Sequence, residues 1–297
     1  MKIVIQIFCL PYEIDELEIT LNQLRRASKY IDHSKEWIID VCMCVSDDMV
    51  NWSKSSLPKK YFEEKLLKLS WQTDWCTKKF QTSETIKGCV SHRRHCVKVH
   101  EHTQYFIWLD TDIVFEERTL SYLENALQPI WDITPYGIIT PELVRIWDNT
   151  WDVLTNENFL DKPVGYQEKA NPYLDSGIKG EVTIEGVQNT NSTQSRFKFA
   201  GGWFTCISGR LLRHIGVPES FGHYGYEDTF IMVAAEKLKQ TTDMDIQQFK
   251  LKNVVVCENY KYRNNTHYIN NLSIYDRREE FKEIAISNFG KELEKIK

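Results

Sequence analysis

Residues Phe106 to Phe115 read FIWLDTDIVF, an unbroken apolar and aromatic run that stops in two aspartates one residue apart, Asp110 and Asp112. A run that stays apolar without alternating suits a strand buried on both faces, and such strands belong in a mostly parallel sheet covered by helices. The two acids then stand at the carboxyl-terminal mouth of that sheet, where open α/β sheets take their ligands. Hard carboxylate oxygens there invite Mg2+ or Mn2+, which needs only one or two of them if diphosphate oxygens complete its shell. The competing reading is turn and helix-cap chemistry, for which Asp is equally suited.

The chain around this segment alternates strand and helix patterns. Lys2 to Phe8 is rich in β-formers and is followed by a turn at Leu10-Pro11. A helical pattern runs from Asp15 to Tyr30, with Leu17, Leu21 and Leu24 on one face. Trp37 to Val45 reads as a second strand ending in Ser46-Asp47-Asp48, which makes a β-α-β start. Further on come a helix over Leu57 to Leu69, a short strand within Trp71 to Phe80, and a helix over Thr85 to Glu101. A helix over Thr119 to Leu127 and a strand over Tyr136 to Pro141 complete this half. From Trp147 to Ser195 the chain is rich in Asn, Thr, Gly and Pro, which predicts an irregular excursion of the kind that serves as a lid. Strands over Phe197 to Ser208 and Lys252 to Glu258, with helices over Thr229 to Lys239 and Asp276 to Lys297, close the chain.

A chain of 297 residues holds one large α/β domain with an ample core, and its net charge of -5 argues against broad affinity for nucleic acid or anionic membrane. The apolar run in MKIVIQIFCLPYEIDE is too short for a bilayer helix and is broken too soon for a signal peptide. With no secretory segment, the eight cysteines read as reduced thiols, and the expected location is cytoplasmic.

A second informative segment is FAGGWFTCISGRLLRHIGVPESFGHYGYEDTF, Phe199 to Phe230. Gly201 and Gly202 let backbone approach a ligand closely, and Trp203 offers a flat apolar face of the kind that packs on sugar rings. The aromatic turn Gly222 to Tyr226 leads into Glu227-Asp228 at a helix start, where carboxylates are stabilised as anions. These two acids read either as a helix cap or as a general base for an acceptor hydroxyl.

Gly88 to His95, WLDTDIVF, GGWF and FGHYGYED, in that order after a β-α-β start, resemble the GT-A fold glycosyltransferases of the family 2-like type. These are related to the galactosyltransferase and N-acetylgalactosaminyltransferase domains of bacterial and animal enzymes. The resemblance implies one Rossmann-like GT-A domain over residues 1–297, with a mixed, mostly parallel central sheet flanked by helices. Residues 1–140 would be its nucleotide-sugar-binding half, 141–196 the excursion, and 197–297 the acceptor-side half with the closing helix. It implies transfer of a sugar from a nucleotide diphosphate donor, with UDP sugars the default, to a hydroxyl of a glycan or glycolipid, assisted by Mn2+ or Mg2+.

Residue by residue, the resemblance assigns the nucleotide to Pro11, Tyr12, Asp47 or Asp48, Arg93 and Arg94. Asp110 would contact ribose or sugar and share the metal with Asp112. His267 is the implied further ligand, with Arg263 at the diphosphate. Gly201, Gly202 and Trp203 would line the donor sugar, Asp228 would be the base of an inverting displacement, and Glu227 would bind a hydroxyl. Trp147, Trp151, Tyr224 and Tyr226 would close over the sugar. Where the family has a Pro-Thr-Tyr-Asn run after the first strand, this chain has Phe-Cys-Leu-Pro-Tyr-Glu.

Other readings stand beside this one. Lys59, Lys60, Lys78, Lys79, Arg93 and Arg94 would form the positive groove of an enzyme that glycosylates hydroxymethylated bases of viral DNA. Outside the transferases, the alternatives are a sugar-nucleotide binding module and a nucleotidyltransferase. Cys89, His92, His95, Cys96, His100 and His102 crowd one segment, with Cys89, His92 and Cys96 on one helix face, but a zinc shell needs a partner from elsewhere.

Overall fold

The computed structural model describes residues 1–47, 50, 57–85, 87–144, 182–184, 187–189, 201–258 and 272–297. Among them, β1 (Lys2–Cys9), β2 (Glu36–Cys44), β3 (Thr77–Ser83) and β4 (Tyr105–Leu109) lie parallel in the order β3-β2-β1-β4. The sheet continues through β9 (Phe204–Ser208), β6 (Gly137–Val144), β10 (Gln247–Glu258), β8 (Val187–Asn189) and β7 (Val182–Ile184). β9 is antiparallel to both β4 and β6, while β10 runs parallel to β6. A short β5 (Ile113–Phe115) pairs antiparallel with the far end of β10.

Strand alternation sorts the core into two layers. Ile3, Ile5 and Ile7 of β1 and Ile39, Val41 and Met43 of β2 meet α1 (Ile14–Ala27), α2 (Lys59–Ser70) and α4 (Thr119–Ile133) through Leu17, Leu21, Leu24, Phe62, Leu66 and Leu123. On the other face Val4, Phe106, Trp108 and Ile207 meet α3 (Cys89–Val99), α5 (Gly209–Ile215), α6 (Glu227–Thr241) and α7 (Leu272–Lys295). The result is a helix-sheet-helix sandwich, the expected mixed, mostly parallel α/β architecture.

Several details depart from the sequence reading. The helix predicted to end at Leu127 continues through Pro129 to Ile133, because Ile130 is needed in the core and one lost helical hydrogen bond costs less than its exposure. Within the stretch read as irregular, β7 and β8 form a short hairpin that adds to β10. The strand expected from Phe197 is described from Phe204 and runs antiparallel. Its amino-terminal end therefore reaches the edge where β1, β2 and β4 end, with Phe204 opposite Leu109. That reversal places Gly201 to Trp203 beside the D-x-D.

Candidate active site

The site is built at the carboxyl edge of the parallel strands. β4 stops at Leu109 and the chain turns, so the two aspartates diverge. Asp110 lies against α3 through Arg93, and Asp112 lies near Glu16 of α1. The turn is tacked down from α1: the Thr20 hydroxyl donates to the Thr111 carbonyl at 2.6 Å, and Gln23 Oε1 accepts from the Phe115 N–H at 2.8 Å. The Asp110 N–H donates to the Trp203 carbonyl at 3.1 Å, which ties the D-x-D to the Gly-Gly-Trp segment.

Arg93 is the hub. Its side chain is 6% exposed and its guanidinium lies 4.5 Å from the centroid of the Trp108 ring. Nη2 donates to Asp110 Oδ1 and to the Gly202 carbonyl, each at 3.0 Å, while Nη1 donates to the carboxylate of buried Glu227. A planar fork of donors serves three acceptors from three separate stretches of chain at once. Gly202 is needed for this approach, because a Cβ there would fall 2.4 Å from Nη1.

Asp228 occupies the first turn of α6, after Tyr226 in the left-handed region at φ 63°. Its Oδ2 accepts from the Gly202 N–H at 3.1 Å and its Oδ1 from the Thr229 N–H at 2.6 Å. The N-cap position is Tyr226, which makes no side-chain cap bond, so neither acid caps the helix and Asp228 bonds an N–H within its first turn. Half-buried, the carboxylate keeps solvent access, as a base must.

The carboxyls here are crowded. Dehydration by surrounding protein, with Asp112, Glu227 and Glu13 close by, pushes the Asp110 carboxyl up to about 8 against the pull of Arg93. The Asp110 side chain is still 39% exposed, so that dehydration comes from dense surroundings and not from enclosure. Burial, followed by Glu13, Asp112 and Asp15, raises Glu16 to about 8. Burial also raises Glu227, opposed by Arg93 and reinforced by Asp228. Excess negative charge of this kind, carried on hard oxygens, suits a divalent cation such as Mg2+ or Mn2+. Asp110 and Asp112 would hold it, and its chemistry would be to offset charge on a leaving diphosphate.

Glu13 and Glu16 were not singled out in the sequence. The signal was present: Glu13, Glu16, Thr20 and Gln23 make a polar stripe at helical spacing beside the leucine face of α1. Glu13 also accepts the Leu10 N–H at 2.8 Å, which shapes the turn after β1.

Pro11 is buried and Tyr12 half-buried at that turn. Tyr12, Phe8 and Tyr224 pack around Leu10 and Cys44, an apolar and aromatic patch at the mouth of β1 and β2. Asp47 is exposed and pairs with Lys59 at 2.9 Å. Trp203 is half-buried against the core, and Tyr226 is 36% exposed. Arg94 does not join Arg93; it donates to the Pro218 carbonyl at 2.7 Å and bonds Gly222, holding the loop ahead of α6. That loop is braced from behind by Phe221, Phe230 and Phe289, with Phe221 and Phe289 stacked at 6.0 Å. Asp48, Trp147, Trp151, Arg263 and His267 lie outside the described residues.

The remaining cations each pair with an acid. Lys60 pairs with Glu64 at 3.7 Å, Lys79 with Asp40 at 3.3 Å, and Lys78 with Asp74. The Cys/His segment is split by α3. Cys89 lies at its start and bonds Glu227, whereas His92 and Cys96 face Asp40 of β2, which also pairs with His100 at 2.7 Å. His95 is half-buried near Lys79, and His102 is exposed. The cysteines Cys9, Cys42, Cys44, Cys76, Cys89, Cys96 and Cys206 are all free. No helix among the described residues is long and apolar enough to cross a membrane.

No protein-family profile and no curated protein sequence matches this chain. Solved structures do. S. aureus TarS, residues 1–349, is similar at 15% identity with a TM-score of 0.52, over 87% of this chain and 60% of that one. The same TarS segment in complex with UDP-GlcNAc is similar at 12% identity with a TM-score of 0.51, over 87% and 59%. The chain thus spans about three fifths of the length of these neighbours. Likeness at such low identity is likeness of architecture, and the architecture here is the GT-A fold of glycosyltransferases.

Proposed function

We propose that the protein is a metal-dependent glycosyltransferase that uses a nucleotide diphosphate sugar, with a UDP sugar the first to test. The observation that carries the reading is Arg93. It binds Asp110 of the D-x-D, the Gly202 carbonyl and Glu227 of the Glu-Asp pair, so the motifs assigned to donor and acceptor ends converge on one solvent-open edge. The UDP-GlcNAc complex of a structural neighbour supports the choice of donor class.

In this reading the nucleotide lies over the Tyr12, Phe8 and Tyr224 patch, and Asp112 with Asp110 holds Mn2+ or Mg2+ at the diphosphate. Asp228 takes the proton of an acceptor hydroxyl as that oxygen attacks the anomeric carbon in line with the leaving diphosphate. Glu227, neutralised by Arg93, stays out of the proton transfer and orients the site. The acceptor is a glycan or glycolipid hydroxyl; the lysines offered for a DNA groove are engaged by acids, which weighs against a DNA acceptor.

Incubation with Mn2+ and a panel of nucleotide sugars, with and without chelator, tests the reading. Release of nucleoside diphosphate is expected, and Asp112→Ala should abolish it. Metal-dependent turnover retained in Asp112→Ala would overturn the metal assignment, and sugar 1-phosphate with nucleoside triphosphate, formed only when pyrophosphate is added, would mark a nucleotidyltransferase instead.

A further inference from the structure

Beneath α3, away from the acids of the carboxyl edge, a row of polar side chains crosses the sheet in register. Lys79 of β3, Asp40 of β2, Gln6 of β1 and Trp108 of β4 are successive cross-strand neighbours. Their setting is dry: Asp40 is 0%, Gln6 1% and Trp108 1% exposed. Buried polar atoms are nearly always partnered, yet Asp40 Oδ1, both amide atoms of Gln6 and Trp108 Nε1 make no hydrogen bond. Asp40 Oδ2, by contrast, is well served, by His100 Nε2 at 2.7 Å and Lys79 Nζ at 3.3 Å.

The unpartnered Oδ1 faces two donors from α3 that share a helix face at i and i+4. His92 Nε2 lies 3.7 Å from Oδ1 and 3.5 Å from Cys96 Sγ, and the three ligand atoms lie within 4.8 Å of one another. Zinc bonds of ordinary length in a tetrahedral shell separate a nitrogen from a sulfur by about 3.6 Å and from an oxygen by about 3.4 Å. The observed spacings already approximate a shell. Nε2 also lies 3.3 Å from the Asp40 carbonyl oxygen, a contact that ligation through Nε2, with the ring proton on Nδ1, would give up.

We propose that Asp40, His92 and Cys96 bind a zinc ion between β2 and α3. These three supply an oxygen, a nitrogen and a sulfur, and a four-coordinate ion would keep its fourth position for a non-protein ligand. With one thiolate and one carboxylate the shell balances the charge of Zn2+, and the Lys79 ammonium stays against Oδ2. His100 and Lys79 then orient the ligating carboxylate from behind, as partners of metal ligands commonly do. Soft sulfur and imidazole donors separate this ion from the all-oxygen cation site at Asp110 and Asp112. The partner from elsewhere that Cys89, His92 and Cys96 lacked on one helix is Asp40, and Cys89 is not part of the set.

The test uses the full chain, reduced and purified without chelator. One equivalent of zinc is expected by elemental analysis, both in the unmodified protein and in Asp112→Ala. Replacement by Co2+ should give a thiolate-to-cobalt charge-transfer band with visible bands of a four-coordinate ion. Cys96→Ser should weaken the band and zinc retention at least tenfold, and Asp40→Asn should weaken zinc retention. The band in the unmodified chain decides the matter even if the variants fold poorly. An oxygen-bound cation at the nucleotide-sugar site gives no such band, so failure there leaves this result untouched. A folded chain that retains no zinc and shows no cobalt-thiolate band, or a band undiminished in Cys96→Ser, would overturn the proposal.

Discussion

A single methyl group at Gly202 should disable the hub. Gly202 is not in the left-handed backbone region, so alanine is conformationally acceptable there and its effect is steric. The added Cβ would stand 2.4 Å from Arg93 Nη1, 2.7 Å from Nη2 and 2.9 Å from Cζ. Restoring ordinary contact displaces the guanidinium by about 1 Å, which stretches its 3.0 Å bonds to Asp110 and Gly202 beyond hydrogen-bonding range. Glu227, 3% exposed, is then left without its cation. Breaking a buried pair from one side costs about 3–5 kcal/mol, and overpacking alone costs about 1–3 kcal/mol, so Gly202→Ala should lose about 3 kcal/mol in urea unfolding. The loss should be smaller at pH 5 than at pH 8. Glu227 already has a raised folded pKa, an unpaired Glu227 is raised further, and the cost of keeping it ionised grows with pH. In an Arg93→Ala background the same methyl has room, and adding it should cost less than about 1 kcal/mol, a coupling of the size that contacting residues show. A penalty below about 0.5 kcal/mol in the parent, or one that persists undiminished without Arg93, would refute the account, since a surface-like site gives values of that order.

Three further outcomes follow from neighbouring geometry. Asp228→Asn keeps an oxygen for the Gly202 N–H, so the fold should hold while transfer to acceptor falls at least ~100-fold with donor affinity unchanged, as loss of a general base requires. A drop under ~10-fold would remove Asp228 from that role. Glu16→Gln should stabilise the metal-free protein at pH 8 by a few kcal/mol, at about 1.4 kcal/mol per unit of raised pKa, and hardly at pH 4. The sign follows because the folded pKa of about 8 lies above the ordinary 4.5, so stability is lost as pH rises between them. Equal gains at both pH values in urea melts would contradict it. In Gly88→Ala the new Cβ would fall 2.0 Å from the His223 carbonyl, which also accepts the Val90 N–H at 3.1 Å. The 216–226 loop should lift from α3, visible as faster proteolysis there and a raised KM with little change in kcat.

What could be read from the sequence was whatever depends on local pattern. The apolar run into Asp110 and Asp112 is β4 and its mouth, and Glu227-Asp228 opens α6 as its first turn. What escaped depends on partners far along the chain. FTCIS carries no charge and is buried throughout, as a parallel strand would be, so nothing local reveals that β9 runs antiparallel and brings Gly202 to Asp110. β5 follows β4 after a turn of Asp110 to Asp112 that contains no Gly or Pro, and nothing local marks Ile113 to Phe115 as a further strand.

Arg93 is the sharpest instance. Two adjacent arginines read as nucleotide contacts or as part of a positive groove, and neither reading contains burial. An arginine is buried only where acceptors surround it. Glu227 lies 134 residues away and Gly202 lies 109 away, distances that no periodicity spans. Arg94, one residue on and so about 100° round the helix, meets the Pro218 and Gly222 carbonyls instead. Cys89, near Glu227, shares a face with His92 and Cys96 but stands at the start of α3, and its distance along the axis keeps it from Asp40. Position along and around α3 thus divides one Cys/His/Arg-rich helix between the open acidic edge and the dry polar row under it, and only the strands it packs against decide which residue belongs to which.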